Sequence, residues 1–260
     1  MFVSDSLNGC IQIFGPFTGW FCASSIEPER RRRFPYHRLI CRIETSRIAY
    51  GLIVLTFPEQ KYGAIDAYMD DYVSAYAAGA NSVSRESLIR AAEVLTSAYR
   101  RGNMVYACGN GGSAAISNHL VCDHLKGVQT DTSLSPRVIS LSSNIEIITA
   151  IANDISYDDV FVFQLQSMAA PGDVLVTISS SGDSENVVRA AQWARDSGME
   201  VIAMTGFLGG RTAGLATVGL HVEGDNYGVI EDVHQSLMHI LAQYIRQAEM
   251  DGDMVSKRRF

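Results

Sequence analysis

Hydrophobic residues recur along the chain with a helical period first and with a shorter, strand-like pattern later. The clearest helix covers residues 88–99, where apolar side chains return every three or four positions. Ser84 precedes it as a candidate N-cap, and Gly102 follows it as a stop. A second apolar helical stretch lies before it, at 65–76. The pattern therefore predicts N-terminal helices.

Short apolar runs then alternate with further helical stretches. The predicted strands are 104–108, 137–141, 174–178, 201–205 and 218–222, and the predicted helices are 114–126, 145–152, 158–169, 185–197 and 229–250. Strands that alternate with helices of this length pair in parallel, because right-handed crossovers place the helices on both faces. We predict an α/β protein, a three-layer α/β/α sandwich with a five-stranded parallel sheet.

The first sixty residues differ from this regular part. They hold three of the five cysteines and a run of four arginines at 30–33. One short arginine run without periodic structure around it is typical of a solvated segment rather than of a nucleic-acid patch. We predict a poorly ordered N-terminal extension at 1–60, the folded domain at 61–250 and a C-terminal tail at 251–260.

Charge and cysteine content exclude several classes of protein. A formal net charge of −7 argues against bulk binding of nucleic acid. The five cysteines have no metal or redox spacing and do not suggest a disulfide framework. No apolar run reaches the length of a membrane span, and the N-terminus lacks the pattern of a secretory signal. We expect a soluble cytoplasmic protein without a membrane partner.

A glycine-rich turn, Gly-Asn-Gly-Gly-Ser at 109–113, connects the first predicted strand to a helix. Ligands of parallel sheets bind outside the carboxyl ends of the strands, where backbone N–H groups at a helix start can hold an anion. The turn also fits a loose dinucleotide-binding pattern, but residues 142–144, after the second strand, offer no carboxylate for a ribose. Phosphate is therefore the favoured ligand.

A second polar loop, Ser-Ser-Ser-Gly-Asp-Ser at 179–184, lies between the third predicted strand and a helix. Four hydroxyls at a helix start suit the oxygens of a phosphomonoester. A tight turn with an ordinary N-cap would have a similar composition. The presence of two such loops in one domain favours an anion site.

The combined motifs resemble SIS-domain proteins, and the phosphoheptose isomerases most of all. The resemblance covers about residues 64–247, and it is carried by 109–113, Ala152-Asn153-Asp154, Gly172-Asp173, 179–184, Thr205-Gly206 and Gly209-Gly210. It implies a homotetramer with sites between subunits. It also implies a phosphosugar isomerase that converts sedoheptulose 7-phosphate to D-glycero-D-manno-heptose 7-phosphate by proton transfer through an enediol.

The resemblance also implies the site residues. The phosphate ligands would be Asn110, Gly111, Ser113, Ser179, Ser180, Ser181 and Ser184, and the sugar ligands would be Asn144, Asn153 and Asp154. Asp123 would be the catalytic base and His239 the acid. In some members the corresponding four side chains hold zinc, which here would be His119, Asp123, Glu231 and His239. We interpret His124 and His234, in the same two segments, as structural.

Several positions depart from the family pattern. Asp123 replaces a glutamate, and Glu231 replaces a glutamine eight residues before the histidine. Asn144 and Gly228 stand where the family has aspartates that contact the sugar, so the identity of the phosphosugar stays open. A noncatalytic SIS protein, either an adaptor such as the type that binds the bacterial replication initiator or a phosphosugar sensor, is the second interpretation. A nucleotide-dependent oxidoreductase is the third.

Overall fold

A five-stranded parallel sheet forms the centre of the folded domain. The computed structural model describes residues 56–260, and the predicted extension up to residue 55 lies outside the described residues. The strands are β1 Met104–Cys108, β2 Arg137–Ser140, β3 Val174–Ser179, β4 Glu200–Thr205 and β5 Val218–His221, in the order β2-β1-β3-β4-β5. Every pairing between neighbouring strands is parallel. The predicted sheet is confirmed.

Helices cover both faces of this sheet. They are α1 Ile65–Ser82, α2 Arg85–Arg101, α3 Gly112–Val121, α4 Ile145–Asp154, α5 Val162–Met168, α6 Glu185–Asp196, α7 Gly210–Leu215, α8 Tyr227–Glu249 and α9 Gly252–Val255. One apolar core packs α2, α3 and α8 on one face, and a second packs α4, α5 and α6 on the other. The arrangement is the predicted three-layer sandwich. None of these helices, all within residues 56–260, has the length and apolar character needed to cross a membrane.

The caps predicted for α2 are present. The hydroxyl of Ser84 accepts a hydrogen bond from the backbone N–H of Ser87 at 3.2 Å. Gly102 has a φ of 74° and donates its N–H to the last carbonyls of the helix. This left-handed conformation favours glycine because a side chain would be strained there.

Two predicted helices differ in the structure. The stretch predicted as one helix at 114–126 is α3 followed by a π-helix, Cys122–Val128. The stretch predicted at 158–169 is a 3-10 turn, Tyr157–Asp159, followed by the shorter α5. Apolar periodicity does not separate the three helix types well over one or two turns, because their periods are close. The helices α7 and α9 were not predicted, because six and four residues are too few to show an apolar period.

Both ends of the described chain make contacts with the domain. Phe57 is buried, and its backbone N–H donates to Asp225 at 3.2 Å while its carbonyl accepts from Asn226 at 3.1 Å. At the other end, the guanidinium of Arg246 lies 4.9 Å from the ring of Phe260. The ordered contacts of the domain thus extend beyond 61–250 in both directions.

Candidate active site

The two polar loops meet at the carboxyl edge of the sheet. β1 and β3 are neighbours, so the loops that follow them lie side by side. Asn110 of the first loop and Asn186 of α6 exchange two side-chain hydrogen bonds, of 2.9 and 3.0 Å. The hydroxyl of Tyr157 also donates to Asn110, at 2.9 Å. The structure therefore brings together the two predicted phosphate loops, and it adds Tyr157, which the sequence analysis did not single out.

Glycines allow the close approach of these loops. A side chain at Gly109 would place its Cβ 2.7 Å from the carbonyl oxygen of Ile178. Gly182 has a φ of 63°, and a Cβ there would lie 1.9 Å from the carbonyl oxygen of Gly209. The loop at 179–184 consequently packs on the segment that begins α7, and Thr212 donates both its N–H and its hydroxyl to Gly182.

The serine side chains of the second loop have different surroundings. The hydroxyl of Ser179 accepts from Gly182 at 3.2 Å, and that of Ser181 accepts from Asp183 at 3.3 Å. The hydroxyl of Ser180 is buried and has no hydrogen-bond partner within residues 56–260. Ser184 precedes α6 but does not cap it with its side chain. A buried hydroxyl without a partner and a helix start without a side-chain cap both suit an anion at this position.

The remaining predicted phosphate ligands lie at the start of α3, and the predicted sugar ligands lie at the two ends of α4. Gly111 has a φ of 56°, and Ser113 is buried in the first turn of α3. Asn144 is exposed and caps α4 by accepting from Ile147 at 3.0 Å. Asn153 donates to Asp154 at 2.7 Å, and both are exposed at the end of α4. The contacts of these last two side chains link them to each other and not to the glycine-rich loop.

Arginines next to the second loop are already engaged by carboxylates. Arg211 of α7 contacts Asp183 and also pairs with Glu185 at 2.8 Å. Arg189 pairs with Glu185 at 2.8 Å and with Asp159 at 2.9 Å. The hydrogen bonds from Arg189 and Arg211 lower the pKa of Glu185. The loop would therefore hold an anion chiefly by backbone and hydroxyl dipoles.

A compact cluster of His119, Asp123 and His239 joins the π-helix to α8. Nδ1 of His239 lies 2.6 Å from Oδ2 of Asp123, and Nε2 of His119 lies 3.3 Å from Oδ1. The side chain of Asp123 is 21% exposed and that of His239 is 36% exposed, so a small molecule can reach both. The two predicted catalytic residues thus form a hydrogen-bonded pair.

The neighbouring histidines point into the protein. His124 is buried and shares a hydrogen bond of 2.7 Å with the hydroxyl of Tyr99. His234 is buried and its Nε2 lies 3.2 Å from the carbonyl oxygen of Thr205. Burial lowers the pKa of each ring to about 4. Both contacts agree with the structural interpretation of these two residues.

Gln235 is a member of the cluster that the sequence analysis missed. Its Nε2 lies 3.1 Å from Nδ1 of His119 and 2.9 Å from Nε2 of His239. Gln235 precedes His239 by four residues and so shares its face of α8. The four-residue spacing from His239 was therefore the sequence signal that could have identified Gln235.

Glu231 lies one turn earlier on α8 and makes a different contact. A Cβ on Gly112 would lie 2.3 Å from Oε2 of Glu231, so its carboxylate rests against the start of α3. Burial raises the pKa of Glu231, and the negative charge of Asp232 raises it further. The structure places Glu231 beside the glycine-rich loop rather than within the His119, Asp123 and His239 cluster.

The cluster suits a metal such as zinc. One potential ligand atom from each of His119, Asp123 and His239 lies within 4.8 Å of the others. Two imidazoles and one carboxylate are a donor set that zinc accepts, with a fourth position left for another ligand. The predicted fourth ligand, Glu231, is not part of this group of three.

Comparisons with known proteins agree with the fold. The SIS domain profile matches residues 67–206. The phosphoheptose isomerase of Shewanella sp. (strain ANA-3) is 39% identical over 163 residues, which are 62% of this chain and 82% of that protein.

Two solved structures are also similar. The phosphoheptose isomerase from Neisseria gonorrhoeae has a TM-score of 0.63 and 32% identity, over 70% of this chain and 96% of that one. The phosphoheptose isomerase from Francisella tularensis has a TM-score of 0.64 and 31% identity, over the same shares of the two chains. The NanR protein from Vibrio vulnificus, solved in complex with ManNAc-6P, shares the fold at 18% identity and a TM-score of 0.56. The chain therefore belongs to the SIS-domain phosphosugar isomerase family that includes the bacterial phosphoheptose isomerases.

Proposed function

We propose that this protein is an aldose–ketose isomerase of phosphosugars, with sedoheptulose 7-phosphate as substrate and D-glycero-D-manno-heptose 7-phosphate as product. The observation that carries the proposal is the partly exposed pair of Asp123 and His239, in which Nδ1 of His239 lies 2.6 Å from Oδ2 of Asp123. The two loops that we propose as phosphate ligands follow neighbouring strands of the same sheet. Aldose–ketose interconversion needs one group to move a carbon proton and one to move an oxygen proton. The names of the relatives support the same substrate class.

In the proposed mechanism, the phosphate binds between the glycine-rich loop and the serine loop at 179–184. Asp123 then removes a proton from C1 of the ketose, while His239 gives a proton to the carbonyl oxygen at C2. The product of this step is an enediol. Return of the carbon proton to C2 and removal of the proton from the C1 hydroxyl yield the aldose, and the two protein groups end in their initial protonation states.

We further propose that His119, Asp123 and His239 hold one zinc ion when the metal is bound. Zinc at this position would polarise the oxygens of the substrate. Side chains around the zinc ligands would still have to orient the sugar. Asp123 is one methylene shorter than the glutamate of the family pattern, so the substrate carbon must approach the π-helix more closely.

Two positions beside the proposed sugar site bear on the choice of phosphosugar. Asn144 caps α4 with its side chain, so its oxygen is already engaged. Gly228 lacks a side chain, and a Cβ there would lie 3.1 Å from the hydroxyl of Tyr72. The identity of the phosphosugar is therefore best tested with ketose phosphates of five to seven carbons.

The proposed function is tested by turnover of these ketose phosphates with and without added zinc. We expect the heptulose phosphate to be isomerised fastest. A protein that binds the phosphosugars without converting any of them would be a sensor or adaptor instead. Loss of hydrogen bonds to a charged phosphate should weaken binding by about 1.5–3 kcal/mol in each of the variants Ser181→Ala and Ser184→Ala. Unchanged affinity in both would remove the phosphate assignment.

We also propose that the protein is a homotetramer whose sites lie between subunits. Ile65, Met69 and Val73 lie along one face of α1 and are 82%, 64% and 52% exposed in the single chain. Burial of such a stripe against another subunit would remove it from water. Light scattering at micromolar concentration should give the mass of four chains, and a monomer mass would contradict the proposal.

A further inference from the structure

The amide of Asn110 is held by hydrogen bonds from two different elements. It exchanges two hydrogen bonds, of 2.9 and 3.0 Å, with the amide of Asn186 at the start of α6. The hydroxyl of Tyr157, in the 3-10 turn before α5, donates to the same oxygen of Asn110 at 2.9 Å. Asn186 is buried, whereas Tyr157 is 54% exposed. The contact with Tyr157 is therefore the one that solvent and ligands can reach.

The turn that carries Tyr157 is tied to α6, the helix that carries Asn186. The guanidinium of Arg189 on this helix lies 2.9 Å from the carboxylate of Asp159 and 3.5 Å from that of Asp158, both in the turn. The two partners of the Asn110 amide are thus held near each other by ion pairs that do not involve the glycine-rich loop.

The pair of amides does not by itself determine which end of the Asn110 side chain is the donor. If both amides turned over together, the two hydrogen bonds between Asn110 and Asn186 would be kept. The hydroxyl of Tyr157 breaks this symmetry, because a hydroxyl that donates requires the oxygen of Asn110 on its side.

This orientation decides which group of Asn110 is left for a ligand. The two lone pairs of its oxygen are both used, one by Tyr157 and one by Asn186. Its nitrogen donates one hydrogen to Asn186, and the other makes no hydrogen bond within residues 56–260. In the reverse orientation the unused group would be a lone pair of the oxygen. An ionised phosphate oxygen accepts hydrogen bonds, so the orientation with the unused N–H suits it.

We propose that Tyr157 is a positioning residue for the phosphate of the substrate, which orients the amide of Asn110 so that an N–H is offered to the anion. This role rests on the proposed function, because it takes Asn110 as one of the phosphate ligands. Donation by the hydroxyl and binding of the phosphate favour the same orientation of the amide, and so each strengthens the other.

The variant Tyr157→Phe removes the hydroxyl and keeps the ring. We expect the affinity for inorganic phosphate to fall about 3- to 10-fold, as for the loss of one hydrogen bond. Calorimetry with the full-length chain, freed of metal by a chelator, measures this affinity. With a ketose phosphate as substrate, KM should rise by a similar factor while kcat stays within about twofold, since the groups that move protons are unchanged. Tyr244→Phe, which removes an exposed hydroxyl near the end of α8, is the matched control and should behave like the parent.

A double-variant cycle separates an action through Asn110 from a general loosening of the loop. Asn110→Ala should weaken phosphate binding by itself, and Tyr157→Phe should have no further effect in that background. The melting temperature of Tyr157→Phe without phosphate should stay close to that of the parent, because the hydrogen bond it loses is exposed.

Parent-like phosphate affinity in Tyr157→Phe would overturn the proposal, and so would an equal loss of affinity with and without the side chain of Asn110. A parent that binds neither inorganic phosphate nor a ketose phosphate would overturn it as well. If the parent binds phosphate but converts no ketose phosphate, the proposed function fails, and the phosphate titrations still decide the role of Tyr157. If Asn110→Ala does not fold or binds too weakly to measure, Tyr157→Phe and its control decide it.

Discussion

Asp123 is the residue on which the proposed chemistry depends most. Its two oxygens contact His119 and His239, so its carboxylate joins the start of the π-helix to α8. The π-helix continues α3 directly, which keeps His119 and Asp123 on one side while His124 turns into the core. A carboxylate in this position can serve as a base only if the substrate reaches it beside the histidines.

We predict that Asp123→Asn abolishes turnover while phosphosugar affinity stays nearly unchanged, because the amide cannot accept the carbon proton and the two loops proposed to bind phosphate are intact. His239→Ala should lower kcat by about 10²-fold or more if the ring is the general acid. Turnover with a ketose phosphate and affinity by calorimetry are the two measurements. Parent-like turnover in both variants would rule out the mechanism. Asp123→Glu should retain activity, since it restores the longer carboxylate of the family pattern.

Gly112 shows how a residue without a side chain can be constrained by a charged neighbour. The carboxylate of Glu231 occupies the space that a Cβ on Gly112 would need. We predict that Gly112→Ala displaces this flexible carboxylate with only a small change in melting temperature, and that Glu231→Ala in the same chain removes the part of that change that comes from the contact. Thermal unfolding of the two single variants and the double variant measures this coupling. Additive effects of the two substitutions would show that the contact does not constrain Gly112.

At the scale of elements, the serine loop is held by its packing on the segment before α7. Gly182 combines a positive φ with a carbonyl oxygen of Gly209 in the space of its missing Cβ. Gly198 also has a positive φ, of 77°, but the nearest atom to its missing Cβ is 3.6 Å away. The two glycines therefore share the backbone strain and differ in the close contact.

We predict that Gly182→Ala destabilises the fold by more than the roughly 1–3 kcal/mol that a non-glycine residue costs in this backbone region, and that it weakens phosphosugar binding. Gly198→Ala is the control and should cost only the backbone strain, with affinity unchanged. Chemical denaturation and calorimetry give the two quantities. Equal losses of stability in the two variants would mean that the loop moves freely away from Gly209.

The whole molecule should lose stability in weak acid through its buried histidines. The pKa of His234 is about 4 in the folded state, against an ordinary value of 6.5, because its burial disfavours the charged ring. Between these values the unfolded chain binds the proton and the folded chain does not. The stabilisation is complete above pH 6.5 and declines as the pH falls towards 4.

We predict that lowering the pH from 7.5 to 5 costs about 2 kcal/mol through His234 alone. His234→Gln cannot take up a proton and should show a correspondingly smaller decline, while the equivalent contribution of His124 remains. Denaturant unfolding of the parent and the variant at both pH values measures the difference. Identical pH dependence in the two proteins would contradict this account.

Truncation tests where the N-terminal boundary of the domain lies. A variant that begins at residue 56 should match the full chain in turnover and melting temperature, because the contacts of Phe57 are kept. A variant that begins at residue 63 loses the burial of that aromatic ring, which contributes about 1.5–3 kcal/mol, and should melt lower. Loss of activity in the first variant would show that the preceding residues take part in function.

The sequence by itself determined the sheet, most of the helices and the two loops at its edge. Buried parallel strands need continuous apolar runs, and glycines and serines mark the turns that follow them, so these signals are local. The caps Ser84 and Gly102 were readable for the same reason.

The tertiary structure alone decided which side chains meet at the candidate active site. It joined Gln235 to His119 and His239, and it placed Glu231 against Gly112 instead of in that cluster. Residues on α3 and α8 are more than a hundred positions apart along the chain, and one turn of a helix decides which of several polar side chains on a face reaches across. That choice depends on how the two helices pack, which no local pattern of residues contains.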